Sequence, residues 1–128
     1  TLGRNERLKS RKLIEQLFKE GKSFNAFPFR VYYLLQSPSS ILQFGTGAST
    51  KNFKKSVDRN RIKRLTREAW RLQKNTLTEH LKTNNKKLSV FLIYTQKDLP
   101  DYKTIYDKTG LILNRLITLI NETGPSNT

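Results

Sequence analysis

Between residues 59 and 71 the chain carries Arg59, Arg61, Lys63, Arg64, Arg67 and Arg71 against a single acid, Glu68. Interleaved with them, Ile62, Leu65, Ala69 and Leu72 recur at i, i+3, i+7 and i+10, which is one face of an α-helix. The two patterns can coexist only if one helix packs its apolar face on the rest of the protein and turns a cationic ridge outward. Asn60, Arg64, Arg67 and Arg71 fall on one stripe, with Arg59, Lys63 and Arg67 on an adjoining one. Like charges at i,i+4 destabilise a helix by a few tenths of a kcal/mol per pair, and a solvated face normally mixes both signs. Guanidinium also suits bidentate phosphate contacts better than ammonium does. A polyanion is therefore the expected partner of this face, rather than water alone.

The whole chain points the same way. Lys and Arg number 25 against 10 Asp and Glu, a formal charge of +15. Such self-repulsion opposes compaction, and counterion release on binding nucleic acid offsets it. The basic residues do not gather on one amphipathic helix with a Trp/Phe/Leu face, so a membrane surface is the weaker alternative. The absence of cysteine excludes disulfides and thiolate metal sites. No apolar run reaches transmembrane length. Thr1-Leu2-Gly3-Arg4 lacks the apolar core of a signal peptide, and a cytoplasmic protein is the expectation.

At 128 residues one domain is expected, covering 1–123, with 124–128 as a frayed tail. Ser10 can cap a first helix whose apolar stripe is Leu13, Ile14, Leu17 and Phe18, with Gly21 as its stop. Residues 27–36 and 41–49 read as strands joined by the turn Ser37-Pro38-Ser39-Ser40, hence a hairpin. Gly45, Gly47 and Ala48 leave room for a close approach. After Lys51 to Lys55 comes a single long helix from about Val57 to Leu81, ended by Asn84-Asn85. Leu88 to Thr95 is a near-continuous apolar run, expected to be a central strand. Residues 98–101 form a turn into a last helix carrying Ile105, Ile112, Leu113, Leu116, Ile117 and Ile120. The class is α+β, one sheet covered by helices on one face. A helix-turn-helix DNA reader does not fit, because the basic helix follows a strand and a lysine-rich turn, and no DNA partner is expected.

The segment from Ser49 to Ala69, and above all Arg59-Asn60-Arg61-x-Lys63-Arg64-Leu65-x-Arg67-Glu68, resembles the signature of the bacterial ribonuclease P protein component. Arg7-Leu8-Lys9 followed by Leu17-Phe18-Lys19-x-Gly21 is similar to that family's first helix, and Phe29-x-Val31-Tyr32 to one of its strands. The likeness runs from about Arg4 to Ile120. Lys51, Asn52, Lys54 and Ser56 depart from the family's pattern while keeping or raising the charge.

The resemblance implies a single α/β sandwich of order α-β-β-β-α-β-α with a left-handed βαβ crossover, as in the second domain of a small-subunit ribosomal protein. It also implies a function, assisting a catalytic RNA in removing the 5′ leader of precursor tRNA by magnesium-dependent hydrolysis. Arg59, Arg61, Lys63, Arg64 and Arg67 would then bind phosphates of the catalytic RNA, Asn60 would add hydrogen bonds, and Lys51, Lys54 and Lys55 would extend the patch. Phe18, Tyr32 and Arg30 would line a cleft for the leader, since aromatic faces stack on unpaired bases with little sequence demand. Strand alternation puts Arg30, Tyr32 and Leu34 on one face and Phe29, Val31 and Tyr33 on the other, without saying which is open. Trp70 reads as core or rim.

No catalytic residue, protein-held metal or other cofactor is expected. The acids show no paired spacing, and His80, the only histidine, reads as a surface residue beside Glu79. The rival readings are a general RNA-binding or ribosomal-type protein and a stand-alone nuclease.

Overall fold

A computed structural model describes residue 8 and residues 11–35 and 42–122. The expected Ser10 cap, the turn at 37–40 and the tail at 124–128 lie outside the described residues. The elements are α1 (Arg11–Glu20), β1 (Lys22–Ala26), β2 (Phe29–Leu35), β3 (Leu42–Ala48), α2 (Ser56–Gln73), α3 (Asn75–Thr83), β4 (Leu88–Tyr94) and α4 (Tyr102–Glu122). Among the described residues the strands form one sheet in the order β1-β2-β4-β3. β4 runs antiparallel to β2 and parallel to β3, so the chain crosses over from β3 to β4 through α2 and α3. No helix among the described residues is long and apolar enough to cross a membrane.

The expected hairpin of the second and third strands does not form. β4 lies between them, pairing Tyr32 with Phe91 on one side and Gly45 with Phe91 on the other. The physical reason is burial. Leu88, Val90 and Leu92 are fully buried and Tyr94 nearly so, and only the centre of the sheet covers such a strand on both edges. β1 is an element the residue pattern did not reveal: it is short, polar and at the edge, as befits a strand that must not recruit another chain.

The long basic helix is interrupted at Lys74. There the Gln73 amide donates to the carbonyls of Ala69 (3.1 Å) and Tyr106 (2.9 Å), bridging α2 to α4. Gly110 makes the bridge possible, since a Cβ there would sit 2.8 Å from Gln73 Oε1. Asn85, with φ 54, ends α3 in the left-handed region that asparagine tolerates, and its N–H donates to the Lys82 carbonyl.

The buried face of α2 is Ile62, Thr66, Ala69 and Trp70 rather than the stripe ending at Leu72, which is 51% exposed. Trp70 stacks on Phe44 of β3 with ring centroids 4.2 Å apart. It is fully buried and displaces the apolar stripe by roughly one helical position. α2, α3 and α4 share one core with the sheet face carrying Phe29, Val31, Tyr33, Phe44, Val90 and Leu92. Helices do not cover that face alone: α1 lies on the opposite one, through Phe18 against Tyr32 and Phe91. Leu8 and Leu17 are buried there, outside the main cluster. Gly21 follows α1 because a Cβ there would clash with the carbonyl oxygens of Leu17 and Tyr33.

Candidate nucleic-acid interface

The loop from β3 to α2 brings the basic residues together. Its anchor is Phe53, 5% exposed, whose N–H donates to the Ser49 carbonyl at 2.9 Å. Asn52 donates its amide to the Thr95 carbonyl (3.2 Å), tying the loop to the end of β4. From the first turn of α2, Arg59 Nη1 donates to the carbonyls of Phe53 (2.7 Å) and Lys54 (2.9 Å). The loop is thus clamped at both ends, and Lys51, Lys54 and Lys55 are left exposed on it. The Asn52 departure from the family's pattern serves this clamp.

Along α2 the expected ridge divides into parts with different surroundings. Asn60, Arg61 and Arg64 are exposed and Lys63 half-buried, and among the described residues no carboxylate pairs with Arg61 or Arg64. Arg71 instead donates Nε to Glu68 at 3.1 Å and forms an ion pair with it. That hydrogen bond and the nearby positive charge hold the Glu68 carboxyl below its ordinary 4.5. Glu68 is thereby matched to the last arginine, and Asp58 is the one acid left among the cations of the first two turns. Arg67 is exposed, but it faces a cleft rather than the outer ridge. Arg59 is the other departure, because its guanidinium is engaged by backbone oxygens.

The second basic and aromatic surface is the sheet face turned away from the main core, which settles that the face of Arg30, Tyr32 and Leu34 is the open one. Phe18 of α1 leans on it at 42% exposure, edge-on to Tyr32 (4.8 Å) and Phe91 (5.5 Å). Arg30 lies over the Tyr32 ring at 5.4 Å and donates to Tyr32 Oη (2.9 Å), Asn25 Oδ1 (3.1 Å) and Ser23 Oγ (3.2 Å). The guanidinium is exposed yet held in one orientation. A cleft of about 330 Å³ opens beside this row, lined by Leu8, Ile14, Gly45, Thr46, Arg67 and Phe91. Gly45 lets the Phe91 ring lie against β3, since a Cβ there would meet it at 2.7 Å. The small residues of β3 thus admit the protein's own ring.

Phe18, Tyr32 and Arg30 are therefore brought together, and so are Lys51, Lys54, Lys55, Asn60, Arg61 and Arg64. Phe91, Asn25 and Ser23 join the sheet site without having been singled out. The signal for Phe91 was present in the alternation Ser89, Phe91, Ile93, but it is readable only once β4 is known to pair with β2. His80 lies in the last turn of α3, and no group of three or more His, Cys, Asp or Glu among the described residues could hold a metal ion.

Comparison with known proteins identifies the architecture. The family model described as ribonuclease P matches residues 2–117. The chain belongs to the ribonuclease P protein family. The ribonuclease P protein component of Porphyromonas gingivalis is 36% identical over 106 residues, 81% of this chain and 77% of that protein. That of Chlorobium phaeobacteroides is 27% identical over 128 residues, 91% of this chain and 88% of that protein. Among solved structures, the ribonuclease P protein from Thermotoga maritima superposes with a TM-score of 0.65 at 26% identity, covering 86% of this chain and 96% of that one. Ribonuclease P proteins are subunits of a ribonucleoprotein enzyme whose general function is tRNA 5′-end processing, so an RNA is the partner of this chain.

Proposed function

We propose that this ribonuclease P protein docks on the catalytic RNA through the N-terminal half of α2 and the clamped lysine loop, and receives the 5′ leader of precursor tRNA on the open face of its sheet. The observation that carries the reading is the division of labour along α2. Ile62, Thr66, Ala69 and Trp70 are buried, while Arg61 and Arg64 are exposed with no carboxylate partner among the described residues. Arg61, Lys63 and Arg64 contact phosphates, with Lys51, Lys54 and Lys55 extending the contact and Asn60 adding hydrogen bonds to phosphate or 2′-hydroxyl. Arg59 acts mainly by holding the loop that presents those lysines. Arg67, facing the cleft, meets the RNA where the two surfaces adjoin.

On the sheet, Phe18 and Tyr32 supply ring faces for unpaired bases, and Arg30 supplies a fixed cation for the leader's phosphates. Each stacked base contributes about 1–3 kcal/mol with little regard to sequence, which suits a leader of variable sequence. The protein's part is binding and charge neutralisation, and the phosphodiester chemistry belongs to the RNA. Magnesium serves the RNA in this reading. Among the described residues no group of three or more His, Cys, Asp or Glu converges on a metal position. The test is reconstitution with a bacterial ribonuclease P RNA, following precursor-tRNA cleavage at low magnesium. Stimulation that is lost in the Arg61→Ala/Arg64→Ala double variant supports the assignment, and absence of stimulation by the unaltered protein refutes it.

A further inference from the structure

One large aromatic belongs to neither surface so far described. Phe27, in the turn between β1 and β2, is 67% exposed, the most exposed aromatic ring among the described residues. Its mounting is rigid. The next residue, Pro28, is buried, and its carbonyl accepts two hydrogen bonds from Thr95, from N–H and from Oγ1, both at 3.0 Å. The Thr95 carbonyl in turn accepts the Asn52 amide of the lysine loop at 3.2 Å. The turn at Phe27 is therefore coupled through Thr95 to the segment carrying Lys51, Lys54 and Lys55.

Topology places it at the end of a track. β1 and β2 turn at the end of the sheet where β3 and β4 both finish, which is also where α2 begins. The lysine loop stands two strand spacings away, roughly 10 Å. Phe18 of α1 and Tyr32 and Arg30 of β2 form a continuous row, and Arg30 reaches back to Asn25 beside the turn. Tyr32 to Pro28 is four residues of strand, roughly 13 Å. An extended single strand laid over Tyr32 and Arg30 arrives at Phe27 with the lysines flanking it. A lone exposed phenylalanine is ordinary on a protein surface. One fixed in a cationic setting, at the end of an aromatic row, has the makings of a base-stacking platform.

We propose that Phe27 stacks on an unpaired base of the precursor's 5′ leader and extends the leader track beyond the cleft. The inference rests on the leader reading of the open face given above. It is tested in the reconstituted holoenzyme by measuring affinity for precursor tRNA, for the same precursor with abasic leader positions, and for mature tRNA. Phe27→Ala is expected to weaken precursor binding about five- to 150-fold, the range equivalent to about 1–3 kcal/mol of stacking. Mature tRNA and RNA-subunit affinity stay unchanged, the abasic leader abolishes the difference, and Phe27→Tyr restores binding. Phe18→Ala and Tyr32→Ala are measured in parallel. If they lower precursor affinity and Phe27→Ala does not, Phe27 is an ordinary surface residue and this inference alone falls. If none of the three distinguishes precursor from mature tRNA, the leader reading itself falls. A loss of RNA-subunit affinity in Phe27→Ala overturns the leader assignment and gives the base to the catalytic RNA. With its ring in solvent, Phe27→Ala should melt with the unaltered protein, so folding does not confound the comparison.

Discussion

Arg59 and Arg61 are neighbours in one motif, yet they should fail differently. Arg59 Nη1 donates to two carbonyls of the loop, those of Phe53 and Lys54, whereas Arg61 is exposed. A hydrogen bond to a charged group contributes about 1.5–3 kcal/mol, and the shared, partly solvated donor here argues for about 2 kcal/mol in total. At about 4 °C per kcal/mol for a domain of this size, Arg59→Ala should melt about 8 °C lower. Arg61→Ala removes no such contact and should melt within about 2 °C of the unaltered protein, as surface changes away from special features do. In RNA binding the order reverses. Losing Arg61 removes one phosphate contact, so the log–log salt slope falls by about 0.7–0.9, and between about 50 and 200 mM salt the variant's disadvantage shrinks about threefold. Arg59→Ala should lower affinity with a smaller slope change, because the lysines lose their fixed position while keeping their charge. The measurements are thermal melts of the free protein and salt titrations against the RNA subunit. Equal melting temperatures for the two variants would refute the clamp, and an unchanged slope in Arg61→Ala would move the RNA surface off this part of α2.

Trp70→Ala empties a fully buried site stacked on Phe44 and should cost about 3–5 kcal/mol, read as a large drop in denaturant midpoint at unchanged slope. Gly21→Ala drives a Cβ against two backbone oxygens that cannot rotate away, so a loss of about 1–3 kcal/mol is expected in the same assay. Asp101 accepts the Thr104 N–H at the start of α4 (2.9 Å), and this bonding lowers its carboxyl below the ordinary 3.8. A lowered folded value means stability that is complete above the ordinary value and lost as pH falls through the folded one. Asp101→Ala should therefore melt below the unaltered protein at neutral pH, with the gap closing in strong acid, and a gap that persists there would contradict the cap.

The parts of the fold legible in sequence were those where one residue pattern had one physical solution. A cationic stripe beside an apolar one can only be a surface helix, and the Leu88–Tyr94 run can only be central. Asn85 marks a helix end through its own left-handed backbone, and Gly21 does so partly through the Leu17 carbonyl of its own helix. What was not legible depended on partners distant in sequence. Two strands with a turn between them look like a hairpin until β4 is known to lie between them. β1 has too few apolar residues to declare itself, and Leu72 yielded its buried place to Trp70, whose ring finds Phe44 from another element. The site divides the same way. Local spacing put Arg64 on an outward stripe and the family resemblance added Arg61, and both are exposed, but the engagement of Arg59 by carbonyls and the membership of Phe91 in the cleft came only from loop conformation and strand register.

The two-faced character of α2 has a thermodynamic corollary. Since Trp70 and Ala69 are core on the helix that Arg61 and Arg64 decorate, only the folded chain presents the array proposed to bind RNA, and on that proposal the nucleic acid acts as a folding ligand for a +15 polypeptide. At a free RNA concentration one hundred times the dissociation constant, this linkage adds about 2.7 kcal/mol to the stability of the folded form. Substitutions that weaken the core beneath α2 would then be masked wherever the ribozyme is abundant and exposed when the protein is made in excess of it, so its half-life in a cell would follow the supply of its RNA.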